Sequence, residues 1–150
     1  MVNSICKYQL SVRSLLEVQT NNNQEAFGDL NFALNEIAVS RKNTTSMISV
    51  ATELNGEALT NYWADGLIIS TPTGSTGYSL SCGGPVITPD ANNFALTPIA
   101  PYLFSQSPSL SFLSSLPQLP ALIFQQPLLE QHQNYNYFNV SIKVRKTNMI

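Results

Sequence analysis

The residues best suited to binding chemistry lie in one stretch, Asp65 to Pro85, which reads DGLIISTPTGSTGYSLSCGGP. A short apolar run enters a turn made of Thr, Pro, Gly and Ser, and an aromatic residue and more hydroxyl residues follow. Small side chains let a ligand approach the main chain closely, and free N–H and hydroxyl groups can hydrogen-bond phosphates or base edges. The pattern favours a ligand-binding loop, and a plain flexible Gly/Ser/Thr loop is the alternative that stays open.

The same stretch lacks the signatures of several common catalytic and phosphate-binding sites. The Lys of a GxxxxGK[ST] loop is missing, and neither GxGxxG nor GxSxG occurs. His132 is the sole histidine, so neither a His-based zinc site nor a Ser–His relay is expected, and we assign His132 no role. Cys6 and Cys82 have no metal-type spacing and are expected to be reduced. We therefore predict no metal site in this chain.

A second polar feature is the pair Asn35 and Glu36, which interrupts the apolar segment Asn31 to Ser40. Burying an amide and a carboxylate costs several kcal/mol unless both are satisfied. One interpretation is that one residue faces solvent while the other caps a main-chain group. The other is that both are presented to a ligand such as a sugar diol, which requires a strand end or a bulge because adjacent strand residues face opposite ways.

The elements that must position these residues are short strands. Apolar alternation predicts strands over Tyr8 to Thr20, Asn31 to Ser40, Met47 to Leu54 and Glu57 to Ala64. Asn55-Gly56 predicts a type I′ hairpin turn between the last two of these strands. A further strand, Leu67 to Ser70, enters the loop, and Tyr78 to Cys82 begins a helix that ends at Gly83-Gly84-Pro85. The fold class predicted is mainly β, an antiparallel sheet or sandwich-like domain with one or two short helices.

Composition sets broad limits on class and location. The 150 residues suit one ordinary domain, and a net charge of −2 with a pI near 5.2 does not favour nucleic acid or an acidic membrane as partner. No apolar run approaches the ~20 residues of a membrane helix, and Met1 to Leu10 lacks a signal-peptide core. A cytoplasmic protein is expected.

The last third of the chain differs in composition from the rest. Residues 91–127 contain no Asp, Glu, Lys or Arg, and prolines recur through a tract rich in Ser, Leu and Gln. We predict three segments: 1–101 as a binding domain, 102–134 as an irregular low-complexity segment, and 135–150 as a terminal strand-like segment. In the third segment, Phe138, Val140, Ile142 and Val144 alternate with polar residues.

Three segments together carry a resemblance to a known family: LNFALNEIAVSR, DGLIISTPTGSTGYSLSCGGPVITPD and FALTPIAP. They resemble the C-terminal, dinucleotide-binding lobe of NAD kinases over roughly residues 8–101. Members of that family phosphorylate the 2′-hydroxyl of the adenosine ribose of NAD to give NADP, using ATP or polyphosphate and a divalent metal such as Mg²⁺. The resemblance implies a mainly β C-terminal-type domain that binds NAD or NADP and assembles as a homo-oligomer or with a separate N-terminal lobe.

The resemblance also implies roles for individual residues. Asn35 and Glu36 match a motif that hydrogen-bonds the dinucleotide, and Asp65 matches an acid that contacts NAD. The residues that match the loop around the adenosine and its ribose are Thr73, Thr76, Gly77, Tyr78 and Ser81. Taken alone, Trp63 and Tyr78 would instead be interpreted as core aromatics.

The chain departs from the family pattern in places. The Gly-Gly-Asp-Gly-Thr motif of the N-terminal lobe, which carries the proposed catalytic base, does not occur in the 150 residues. Gly77 stands where many relatives carry Ala, and Tyr102 stands where they carry His; a reading-frame slip or rapid divergence would explain the tract that follows. We expect a fragment of an NAD kinase that binds the dinucleotide and is inactive alone. The alternative is a non-catalytic NAD- or nucleotide-binding module or a pseudogene product.

Overall fold

The structure of the protein is a computed structural model that describes residues 11–20, 27–42, 46–102, 121–127 and 137–149, the last two ranges as main chain only. The described residues form strands, one 3-10 turn and one helical turn. In chain order these are β1 (Ser11–Thr20), β2 (Phe32–Ala33), β3 (Glu36–Ser40), β4 (Ile48–Leu54), β5 (Glu57–Ala64), β6 (Gly66–Ser70), the 3-10 turn Thr73–Thr76, α1 (Tyr78–Ser81), β7 (Ala95–Ile99), β8 (Ala121–Pro127) and β9 (Tyr137–Met149). The prediction of a mainly β fold with one or two short helices is confirmed.

The strands form two antiparallel sheets. The larger sheet has the order β2-β1-β9-β8-β4-β5, and the smaller sheet has the order β3-β6-β7. One hydrophobic cluster contains Leu16, Val50 and Tyr62 from the larger sheet and Leu67 and Ile69 from the smaller. The two sheets therefore share a core between their inner faces, as a sandwich-like architecture requires.

The hairpin between β4 and β5 follows from local turn chemistry. Asn55 has φ 53° and Gly56 has φ 85°, the positive values that a type I′ turn needs at both central residues. On β4 the alternation buries Val50 and Thr52. The predicted hairpin is confirmed.

Strand β6 is buried along its whole length. It lies between β3 and β7, and all five of its residues are buried. Leu67 and Ile69 point into the shared core, so Ile68 and Ser70 lie on the opposite face, beneath the loop that follows. A strand covered on both faces reads as a continuous apolar run, which is why this segment does not alternate.

Three parts of the chain differ from the sequence prediction. The segment Asn31 to Ser40 is two strands rather than one, because the chain bends at Leu34 and Asn35 and passes from the larger sheet to the smaller. Strand β7 was not among the predicted strands. Strand β8 lies inside the segment 102–134 that we expected to be irregular; its run Ala121 to Gln126 contains no proline, and Pro127 stands at its end.

Some predictions concern residues outside those described. They include the roles of Cys6 and His132, the start of the first strand at Tyr8, and most of the segment 102–134. Strand β9 covers most of the predicted terminal strand and pairs with β1 along Ser11 to Thr20.

Candidate functional site

The bend at Leu34 and Asn35 receives the loop that leaves β6. The Thr71 N–H donates to the Asn35 carbonyl at 2.8 Å, and the Thr71 hydroxyl donates to the Leu34 carbonyl at 2.5 Å. The Gly74 N–H in turn donates to the Thr71 hydroxyl at 3.1 Å. Thr71 is fully buried, so these bonds hold the start of the loop against the Asn35–Glu36 turn.

A second hydroxyl joins the loop to the segment after α1. The Ser75 hydroxyl lies 2.8 Å from the Pro72 carbonyl, to which it donates, and accepts from the Ile87 N–H at 2.9 Å. Ser75 is fully buried, so it has a structural role. The loop is therefore held on two sides, which leaves its other hydroxyl groups available for a ligand.

Helix α1 is a single turn whose two faces differ. Ser79 is fully buried, and its hydroxyl lies 2.8 Å from the Thr97 hydroxyl on β7. Tyr78 is 44% exposed, and Ser81, three residues later, is also exposed. Residues three apart share a helix face, so Tyr78 and Ser81 lie together on the outer side. The interpretation of Tyr78 as a core aromatic is wrong, and Trp63 is likewise 58% exposed.

Three buried polar atoms near this loop have no hydrogen-bond partner in the described structure: Glu36 Oε2, Ser70 Oγ and Thr73 Oγ1. Glu36 and Ser70 are cross-strand neighbours on β3 and β6, and Thr73 lies three residues beyond Ser70. The Glu36 carboxylate reaches the loop, since a β-carbon at Gly77 would lie 3.4 Å from Glu36 Oε2. Buried polar groups are almost always paired, so orphaned atoms at one place indicate a ligand or ordered water.

A groove of about 440 Å³ opens beside the same loop. Its polar side chains are Arg13, Thr73, Thr76 and Thr88, and its apolar side chains include Leu34 and Ile87. Thr73 therefore belongs both to the group of orphaned atoms and to an open space large enough for part of a nucleotide.

Asp65 lies elsewhere. It immediately precedes β6, whereas Glu36 pairs with Ser70 at the other end of that strand. At about 3.3 Å per residue this separation is roughly 16 Å. Asp65 Oδ2 forms an ion pair with Arg41 Nη2 at 2.8 Å, and both side chains are under a third exposed.

The structure places the Asn35–Glu36 turn against the loop, with Gly77 beside Glu36. Of the other predicted binding residues, Thr73 and Thr76 lie in the same loop, Tyr78 and Ser81 lie on the helical turn that follows it, and Asp65 lies apart. Asn35 precedes β3 and Glu36 begins it, so the pair lies at a strand end, as one ligand-binding interpretation required. Sequence reasoning did not single out Ser70, whose hydroxyl is one of the orphaned atoms, or Arg13, which lines the groove. For Ser70 a signal existed, since a polar residue ends an otherwise apolar strand at the entrance to the loop.

The described residues supply no metal-binding cluster. Among them, no three His, Cys, Asp or Glu side chains come together in a way that could hold a metal ion. Over the same residues, no helix is long and apolar enough to cross a membrane.

Comparison with known proteins decides the family. The profile of the ATP-NAD kinase C-terminal domain matches residues 34–112, which include all the predicted binding residues. The chain belongs to the NAD kinase family. It is 62% identical over 102 residues to the NAD kinase of Flavobacterium psychrophilum and 65% identical over 102 residues to that of Christiangramia forsetii. Each alignment covers 68% of this chain and 35% of the relative, so the chain spans about a third of the length of these NAD kinases.

Solved structures of the family share the fold. Yeast NADH kinase complexed with NADH superposes with a TM-score of 0.63 at 29% identity, covering 89% of this chain and 40% of that one. The NAD kinase of Archaeoglobus fulgidus in complex with ATP gives a TM-score of 0.66 at 29% identity, covering 91% and 52%. The two-sheet architecture is therefore that of an NAD kinase C-terminal domain.

Proposed function

We propose that this chain binds NAD at the turn and loop described above and supplies the dinucleotide-binding part of an NAD kinase. The reaction is transfer of a phosphoryl group from ATP to the 2′-hydroxyl of the adenosine ribose of NAD, which gives NADP. The observation that carries the proposal is the buried, unpartnered Glu36 Oε2 beside the Gly77 main chain.

The chemistry of these residues suits the adenosine end of a dinucleotide. A carboxylate accepts hydrogen bonds only, so Glu36 calls for a donor such as a ribose hydroxyl. The Asn35 amide and the Thr73 hydroxyl can each donate and accept, which suits a base edge or a phosphate. Tyr78 offers an exposed ring on which a base can stack.

Two solved relatives support this choice of ligand. One is complexed with NADH and the other with ATP, and both superpose on most of this chain. The family profile spans the same residues that carry the orphaned polar atoms.

The catalytic step is proposed to need more than these 150 residues. The Gly-Gly-Asp-Gly-Thr motif that carries the family's base does not occur in the sequence, and the described residues contain no metal-binding cluster. The proposed partners are a separate N-terminal lobe, which would hold the base and the phosphate donor, or further copies of the chain.

The binding proposal is tested by calorimetric titration of NAD into the full 150-residue chain. We expect Glu36→Gln to weaken binding about tenfold or more, the cost of losing a charge-assisted hydrogen bond. Glu57→Gln removes an exposed carboxylate in the β4–β5 hairpin and should leave the affinity unchanged. A folded wild-type chain that does not bind NAD would refute the proposal.

The same titration decides the role of Asp65. The predicted contact between Asp65 and NAD requires that Asp65→Asn lower the affinity. An unchanged affinity, with Glu36→Gln impaired in parallel, removes Asp65 from the NAD-binding residues of the single chain.

A separate assay tests the catalytic part. With NAD, ATP and Mg²⁺, we expect negligible NADP formation by this chain. NADP formation after addition of the N-terminal part of the Flavobacterium psychrophilum enzyme would support a split kinase, whereas NAD binding without any rescue would favour a non-catalytic module.

A further inference from the structure

Arg13 is a half-buried cation that has no ion pair or hydrogen bond among the described residues. By contrast, Arg41 is paired with Asp65. Arg13 lines the 440 Å³ groove beside the loop and also a neighbouring groove of about 280 Å³. Asp90 lines that second groove, yet it forms no ion pair with Arg13. A guanidinium that is partly withdrawn from water without an anionic partner leaves strong donors available.

The groove around Arg13 combines charge with hydroxyl and apolar groups. Thr73, Thr76 and Thr88 contribute hydroxyls, and the Thr73 Oγ1 atom is buried without a partner. Leu34 and Ile87 contribute apolar surface. A cation with several hydroxyl donors is the chemistry that binds phosphoryl oxygens, and the apolar wall can cover a sugar or base attached to them.

We infer that Arg13 binds a phosphoryl group of the nucleotide that occupies this groove. The inference rests on the proposed function, because Thr73 and Thr76 belong to the proposed NAD site. Arginine presents several N–H donors in a planar fork that matches two oxygens of one phosphate, which a single ammonium group cannot do. Two phosphoryl groups share this chemistry: the bridging pyrophosphate of NAD or NADP, and the 2′-phosphate found only on NADP.

The test is calorimetric titration of the full chain with NAD, NADP and adenosine. We expect Arg13→Gln to weaken binding of the phosphorylated ligand about tenfold or more and Arg13→Lys to weaken it less, with adenosine affinity unchanged in both. An equal loss for NAD and NADP identifies the pyrophosphate, and a loss confined to NADP identifies the 2′-phosphate. Lys42→Gln removes an exposed cation outside the groove and should change none of these affinities.

The outcomes separate this inference from the function on which it rests. If the folded wild-type chain binds neither adenosine nor NAD, the proposed function fails and the inference fails with it. If the wild-type chain binds NAD and NADP, and Arg13→Gln binds each of them with the wild-type affinity, only the role of Arg13 is overturned.

A second measurement applies if Arg13→Gln does not fold. The NAD and NADP affinities of the wild-type chain should then fall with added salt while adenosine affinity stays constant, and Arg13→Lys should still weaken the phosphorylated ligand. Salt-independent binding of both dinucleotides, together with an unaltered Arg13→Lys variant, overturns the inference.

Discussion

Gly74 lies directly against the main chain of Asn35: a β-carbon at residue 74 would lie 2.6 Å from Asn35 Cα and closer still to its carbonyl group. The Gly74 N–H also bonds the Thr71 hydroxyl, which itself bonds the Leu34 carbonyl. The missing side chain is therefore what lets the loop close onto the turn that presents Asn35 and Glu36.

Gly74→Ala should destabilise the protein severely. The new methyl group would overlap main-chain atoms that cannot rotate away, so we expect a loss of about 3 kcal/mol or more in the free energy of unfolding. Denaturant unfolding followed by circular dichroism measures this loss.

Gly77→Ala is the matched control for Gly74→Ala, because Gly77 lies three residues after Gly74 in the same loop. Its β-carbon would lie 3.2 Å from the Gly74 carbonyl oxygen and 3.4 Å from Glu36 Oε2, both tolerable after small shifts. We expect a change within about 1 kcal/mol. Equal losses for the two variants would contradict the close approach of Gly74 to Asn35.

Glu36→Gln should stabilise the ligand-free protein while impairing NAD binding. Glu36 Oε2 is buried without a partner in the described structure, and a neutral amide in its place is less costly to keep from water. Because the residue as a whole is half-buried, we expect a gain of only about 1 kcal/mol in unfolding free energy. Thermal unfolding without ligand measures the change in stability, and unfolding with saturating NAD measures the loss of binding. A ligand-free variant that is less stable than the wild type would show that Glu36 supports the fold instead.

Ser79 and Thr97 should show strongly non-additive stability effects. Their hydroxyls lie 2.8 Å apart and both residues are fully buried. Removing one hydroxyl leaves the other unpaired, so Ser79→Ala and Thr97→Val should each cost about 1–2 kcal/mol. The double variant removes both groups and should cost less than the sum of the single variants. Chemical unfolding of all four proteins measures the coupling, and strictly additive losses would mean that this bond does not hold α1 on the sheet.

The sequence predicts best those elements that depend on neighbouring residues. Asn55-Gly56 defines its hairpin by local turn chemistry, and the run from Leu67 to Ser70 indicates a strand leading into a loop. The bend at Leu34 was not predictable in the same way, because its carbonyl bonds Thr71, which lies 37 residues later. Strand β8 was missed for a similar reason: its pairing with β4 and β9 is non-local.

The residues of the candidate site likewise differ in whether they could be named from the sequence. Asn35, Glu36 and the loop hydroxyls could be named from the sequence because residue type and order carry the resemblance. Arg13 could not be named in this way, because its position beside Thr73 in the groove comes from the fold. Ser70 carried only a partial signal, a polar residue at the end of an apolar strand, and its position opposite Glu36 depends on the strand pairing. Asp65 was named from the same resemblance, yet in the single chain it pairs with Arg41 at the far end of β6.

Tyr78 should contribute to binding far more than to stability. Its side chain is 44% exposed at the start of α1, so Tyr78→Ala removes little buried surface and should change the unfolding free energy by about 0.5 kcal/mol or less. If the ring stacks on the adenine base, its loss should weaken binding of NAD and adenosine alike by roughly 1–3 kcal/mol. Tyr78→Phe keeps the ring without the hydroxyl and should retain most of the affinity. Calorimetry with NAD and adenosine checks the prediction. If Tyr78→Phe binds as weakly as Tyr78→Ala, the contact belongs to the hydroxyl. If Tyr78→Ala keeps full affinity, Tyr78 is excluded from the site.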